Sequence, residues 1–153
     1  MSTARWSRAA VVAATVGAAV LVDLVVYAIG RAAGGTFTFP SAGSGVATTV
    51  DAATVAGFAA VPLLVGLTVV ALLCRRWPVV ATVAIVVAPV LAVVTVGLMT
   101  VPADFDTVST LTLALCHLTL APLSVLGIRA LRGPAGAVDE LPSLATTSAR
   151  SRP

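Results

Sequence analysis

Four apolar runs, each about the length of a membrane span and separated by short polar connections, constrain this chain more than any other feature. They run from Ala9 to Ile29, Ala52 to Leu73, Pro78 to Met99 and Thr107 to Ile128. A helix rises 1.5 Å per residue, so about 20 apolar residues cross the hydrocarbon core of a bilayer. Inside lipid, backbone N–H and C=O groups must find partners within the protein, and a continuous apolar run does this as a helix. The expected fold is therefore all-α, a four-helix transmembrane bundle with spans at about 9–29, 52–73, 78–99 and 107–128. With 59% apolar and only 10% charged residues among 153, the chain lacks the polar surface that would coat a soluble domain of its size.

The connections carry the signals that start and stop these helices. Arg5, Trp6 and Arg8 precede the first run, as a basic region precedes the apolar stretch of a secretory signal peptide. Signal stretches are shorter, about 7 to 15 residues, and AIGRAAGG offers no clean A-x-A-like cleavage site, so the first run reads as a retained span. Between spans one and two, Arg31 to Val50 (RAAGGTFTFPSAGSGVATTV) is the longest polar connection. Thr36-Phe37-Thr38-Phe39 alternates with the period of a strand, Pro40 to Gly45 supplies turn residues, and Val46 to Val50 is again β-branched. The stretch reads as a short β-hairpin or an extended loop that packs Phe37 and Phe39 on helix ends or lipid headgroups. Asp51 stands where an N-cap for span two belongs. Arg75-Arg76-Trp77-Pro78 forms a tight turn into span three, and TVPADFDT leads into span four with Asp104 or Asp106 as its cap.

Arginine placement sets the orientation. Arg5, Arg8, Arg75, Arg76, Arg129 and Arg132 fall on one side of the spans and Arg31 alone on the other. Because positively charged connections stay cytoplasmic, both termini and the Arg75-Arg76 turn are expected inside the cell, and the hairpin and Asp104 outside. Residues 1–8 form the cytoplasmic N-terminus in this scheme, and residues 133–153, rich in Pro, Ser and Thr, a disordered cytoplasmic tail.

Few residues could carry chemistry. Asp23 lies within span one and the chain's single histidine, His117, within span four, at depths that differ by about one helical turn of ~5.4 Å. A carboxylate in a span is costly, so Asp23 must turn inward and be paired or protonated, and His117 is the expected partner. Tyr27 shares the face of Asp23 at i+4, while Thr110 and Ser124, seven residues either side of His117, extend a thin polar stripe along span four. Asp23, Tyr27, His117 and Ser124 are thus the candidate intramembrane polar site. Pro62, Pro89 and Pro122 each remove an amide donor inside a span and either bend a helix or mark a transporter's broken helices. Alanines recur every four positions at Ala10-Ala14-Ala18, Ala52-Ala56-Ala60 and Ala84-Ala88-Ala92, where neighbouring backbones could approach.

Other classes find little support. The net charge of +3 comes from arginines at span ends rather than a basic patch, which points to the anionic inner leaflet and not to nucleic acid. Cys74 and Cys116 sit in different runs with no C-x-x-C and no second histidine, so no disulfide, metal or cofactor is implied. No nucleophile-base arrangement or phosphate-binding loop stands out, and an enzyme is not expected.

The arginine-led first span LVDLVVYAIGRAAGG, the TFTFP loop, a second span ending in Arg75-Arg76 and a last span centred on ALCHLTLAPL together resemble an actinobacterial family of short four-span membrane proteins catalogued as a domain of unknown function. The resemblance implies the architecture and no activity. Two readings of function stay open. One is a structural or accessory protein acting through helix contacts in the bilayer, with itself or with another membrane protein. The other is a small transporter or proton-linked passage built on Asp23 and His117. A continuous polar cavity between spans one and four would favour the second, and a dry interior the first.

Overall fold

The computed structural model describes residues 7–40 and 47–132. Four long helices, α1 (Arg8–Ala32), α2 (Ala52–Leu73), α3 (Val79–Thr95) and α4 (Thr107–Arg132), are joined by a two-stranded hairpin, a tight turn and a short irregular helical segment. Each is long and apolar enough, α3 with its extension, to cross a membrane. The expected tail, the first six residues and the tip of the hairpin (41–46) lie outside the described residues.

Helix ends follow from local chemistry. Ser7 caps α1, its Oγ accepting from the Ala10 amide at 3.1 Å. At the other end the helix passes Ile29, where the sequence placed the end of the first span. The helix runs on to Ala32 because the Arg31 guanidinium reaches past the terminus and donates to the Gly35 and Thr36 carbonyls. Gly34, at φ +93°, then takes the left-handed conformation that glycine permits and turns the chain out of the helix. Asp51 caps α2 through the Thr54 amide and hydroxyl, at 2.8 and 2.7 Å. Pro102 has no amide to continue a helix. Span three accordingly ends in a widened π-helical turn at Val96–Thr100, a 3-10 turn at Val101–Ala103 and a left-handed Asp104. Pro62, Pro89 and Pro122 all lie inside helices that continue through them.

α1 packs most extensively on α4 and then on α2, and α4 also packs along α3, whereas α2 and α3 scarcely touch despite the tight turn that joins them. The α1–α4 pair is thus the centre, flanked by α2 and α3. One end closes on a core of Val12, Leu67, Val70, Ala71, Ala81, Ile128 and Leu131. Arg8 donates to the Ala71 carbonyl there and Arg132 to the Thr82 hydroxyl. The opposite end is sealed by the strap between α1 and α2. Ala81 is the one buried residue of α3, although that span has the highest mean hydropathy of the four, 2.8 against 1.9 for α4. In water the most apolar helix would be the most buried; here the order is reversed.

The hairpin is real but shorter than the alternation of Thr36 to Phe39 implied. β1 (Thr38–Pro40) pairs antiparallel with β2 (Ala47–Thr49), Thr38 opposite Thr49 and Pro40 opposite Ala47. Phe37 drops out of the strand because its backbone is left-handed, with φ 56°. Its ring is fully buried against Tyr27, with centroids 4.6 Å apart, while Phe39 packs on Phe105 at 5.1 Å. Of the alanine faces, Ala84 and Ala88 pack against the core, but Ala14 and Ala18 on α1 are exposed.

Candidate functional site

Three of the five buried polar residues of the described chain, Asp23, Ser109 and Thr112, lie along the α1–α4 seam, from the hairpin end to its middle. At the hairpin end Asp106 joins three segments. Its carboxylate caps α4 through the Ser109 amide and hydroxyl, at 2.9 and 2.6 Å, and also accepts from the Thr36 amide and hydroxyl, at 3.1 and 2.7 Å. The Ser109 hydroxyl, followed by its amide and by Thr36, holds the Asp106 carboxyl well below the usual carboxylate range. Asp51 is likewise lowered, by the Thr54 hydroxyl and then its amide. The buried Ser109 oxygen accepts in turn from the Phe37 amide at 2.8 Å, and the Tyr27 hydroxyl donates to the Val50 carbonyl at 3.1 Å. A non-glycine residue in left-handed backbone persists only where its surroundings hold it. Phe37 is held on both sides, by Ser109 at its amide and by Tyr27 at its ring.

Below this cap the two helices approach closely at two places. A Cβ on Gly30 of α1 would overlap the Thr112 side chain of α4, and a Cβ on Gly127 of α4 would come within 2.8 Å of Thr15 of α1. Each glycine receives a threonine from the other helix, near opposite ends of the seam. The buried positions of α1, Val12, Ala19, Asp23 and Gly30, advance in steps of seven, four and seven, the spacing of a left-handed helix pair. Asp23 therefore occupies a core position, only 2% exposed. Its carboxylate Oδ1 lies 2.8 Å from the Thr119 hydroxyl, and the Cys116 thiol approaches its backbone carbonyl at 3.7 Å.

The four residues singled out from sequence do not form one cluster. Asp23 meets Thr119 and Cys116 rather than His117. One residue along a helix is a rotation of about 100°, so His117, next to Cys116, turns off the seam. Its Nδ1 lies 2.9 Å from the Leu113 carbonyl of its own helix, though it stays within electrostatic reach of Asp23. Tyr27 turns away from Asp23 to the strap, where Phe37 offers a ring and Val50 a carbonyl. Ser124 is buried but donates to the Ala121 carbonyl. The α1-facing stripe of α4 is Ser109, Thr112, Cys116 and Thr119, spaced three, four and three, and not the sevenfold series of Thr110, His117 and Ser124. The signal in the sequence is small polar residues at helical spacing, Ser109, Thr112, Cys116 and Thr119.

The hydroxyls of this stripe are largely spent on their own helix. Thr112 donates to the Val108 carbonyl at 2.7 Å, and Thr119 lies 2.7 Å from the Cys116 carbonyl. A groove of about 240 Å³ at the Gly30–Thr112 contact is lined by Val26, Ile29, Val108, Leu111 and Leu115, with Thr112 as its one polar side chain. Among the described residues no three His, Cys, Asp or Glu side chains come together as a metal site would require.

No curated protein and no solved structure matches the chain. A family model does, over residues 3–133, the whole stretch that contains the four helices and the strap. The chain thus belongs to DUF6069, a family of unknown function.

Proposed function

We propose that this is a multi-pass integral protein of the cell membrane, a transmembrane four-helix bundle with both termini in the cytoplasm. Its role is structural or accessory, exerted through helix contacts within the bilayer. The observation that carries the reading is the outward position of α3. Val83, Val86, Val87, Val90, Leu91 and Val94 are exposed on a helix with a single buried residue. Such a surface is stable against lipid tails and available to the span of a second membrane protein or another copy of this chain. Arginine asymmetry supports the orientation: Arg8, Arg75, Arg76, Arg129 and Arg132 lie at the end closed by the Val12–Leu131 core, and Arg31 at the strap end. Catalysis has no part in this reading, and no cofactor or nucleic acid is assigned to it.

A second reading, a small proton-linked passage, is favoured by the buried carboxylate of Asp23. The hydroxyls turned back onto α4 and the mostly apolar lining of the α1–α4 groove, whose one polar side chain, Thr112, is bonded to its own helix, weigh for the accessory role. Proton uptake by proteoliposomes carrying the native protein, lost on Asp23→Leu, would reverse that preference.

The orientation is tested with single cysteines at Ser44 and Ser143, in a background where Cys74 and Cys116 are replaced, and an impermeant thiol reagent on intact cells. Labelling at Ser44 and protection at Ser143 are expected. Labelling at Ser143 alone would overturn the orientation, and failure of the chain to fractionate with membranes would overturn the whole reading.

A further inference from the structure

We infer that Asp23 is a neutral carboxylic acid in the resting protein, its O–H donating to the Thr119 hydroxyl, whose own proton passes on to the Cys116 carbonyl. The inference goes beyond the accessory role and rests on proton counting at the α1–α4 seam. A threonine hydroxyl has one proton to give. Thr119 Oγ1 stands 2.8 Å from Asp23 Oδ1 and 2.7 Å from the Cys116 carbonyl oxygen, two positions that would both be acceptors if Asp23 were ionised. A buried carboxylate offers about four lone-pair sites and is stable when two or three donors fill them. Asp23 has Thr119 as its one hydrogen-bonding side chain among the described residues, and that donor is already contested. A neutral acid needs only an acceptor for its O–H. The lone pairs of Thr119 supply it, and the three groups then form a single directed chain from α1 into α4.

The surrounding groups leave this arrangement intact. His117 is the nearest basic group on α4, but its Nδ1 faces the Leu113 carbonyl, which can only accept, so that nitrogen carries a proton and is occupied. The Cys116 thiol is directed at the backbone carbonyl of Asp23 and not at its carboxyl. Tyr27, the other titratable side chain on this stretch of α1, donates its hydroxyl hydrogen bond to the Val50 carbonyl. From α2 the titratable and charged groups are Asp51 before its start and Cys74, Arg75 and Arg76 after its end, several turns from Asp23. The consequence is a contact between α1 and α4 that is fully satisfied only while a proton is bound. Loss of that proton would leave a buried charge with one shared donor and loosen the seam.

Infrared spectroscopy of the purified full-length chain in detergent at neutral pH tests this directly. The native protein should show a carboxylic-acid C=O band that shifts in D2O and is removed by Asp23→Asn. The exposed N-cap carboxylate of Asp51 and that of Asp106 absorb as ionised groups. Thr119→Val should keep the band but move it to higher frequency, because the acid loses its acceptor. Asp23→Asn should unfold at the native temperature, since an amide can donate to Thr119 as the acid does. A native spectrum from which Asp23→Asn removes only carboxylate intensity would overturn the inference. So would an acid band that Asp23→Asn removes but Thr119→Val leaves at the same frequency, because the acid would then not donate to Thr119. Neither result bears on topology, which cysteine labelling reports separately.

Discussion

Adding one methyl group at Gly30 should damage the α1–α4 seam, and removing Thr112 should repair it. The Cβ of Gly30→Ala would overlap the Thr112 oxygen, methyl and Cβ together. Thr112 is poorly able to move aside, because it is β-branched and its hydroxyl is bonded to the Val108 carbonyl at 2.7 Å. Overpacking of this kind costs about 1 to 3 kcal/mol, and alanine returns roughly 0.8 to 1 kcal/mol over glycine as a helix former. The rigidity of Thr112 places the first figure towards its upper end, so a net loss of about 1 to 2 kcal/mol is expected. Gly17 lies on the same helix with nothing within 4 Å of its added Cβ, so Gly17→Ala carries the helix-propensity change without the clash. Unfolding in detergent micelles should then rank Gly17→Ala at or above the native protein and Gly30→Ala below it. Gly30→Ala combined with Thr112→Ala should recover most of the difference, a non-additivity expected of residues in contact. Equal behaviour of Gly17→Ala and Gly30→Ala, or no rescue by Thr112→Ala, would refute the close approach of the two helices.

Two further outcomes follow from the seam and its cap. In double-mutant cycles with Asp23→Leu, Thr119→Val should show a coupling near the ~0.6 kcal/mol average for polar contacts between spans. His117→Leu should show less, and a larger coupling to His117 than to Thr119 would restore the pairing expected from sequence. At the cap, the Asp106 carboxyl is lowered by its hydrogen bonds, so its contribution is complete above the unfolded carboxyl value of about 3.9 and is lost only as pH falls through the lower folded value. Protection of the Thr36 amide from hydrogen exchange should therefore persist on acidification to about pH 4 and should collapse at neutral pH in Asp106→Ala. Loss of protection between about pH 6 and 5 in the native protein would contradict this assignment.

The number, length and type of the main elements were legible because they depend on sums over long windows. Four runs of span length sufficed to place four helices, and the ends differ from expectation by only a few residues. Caps were nearly as readable. Asp51 caps within three residues of its own position, and so does Asp106, which takes the cap rather than Asp104. The second pair of bonds made by Asp106, to Thr36, lies 70 residues away and was not legible locally. Phe37 shows where local reading stopped. Alternation placed it in a strand, yet its conformation is decided by Ser109, 72 residues away, and by a ring on another helix.

What the sequence alone determined, then, is a chain of four apolar helices, each long enough to cross a membrane, because hydrophobic length is additive and indifferent to neighbours. Only the tertiary structure decided which faces meet. Depth along two helices put Asp23 and His117 about one turn of ~5.4 Å apart, but depth does not specify rotation, and a step of one residue turns a side chain by about 100°. That rotation is set by where backbones can come closest, at Gly30 against Thr112 and Gly127 against Thr15, and it delivers Thr119 to Asp23 while carrying His117 aside.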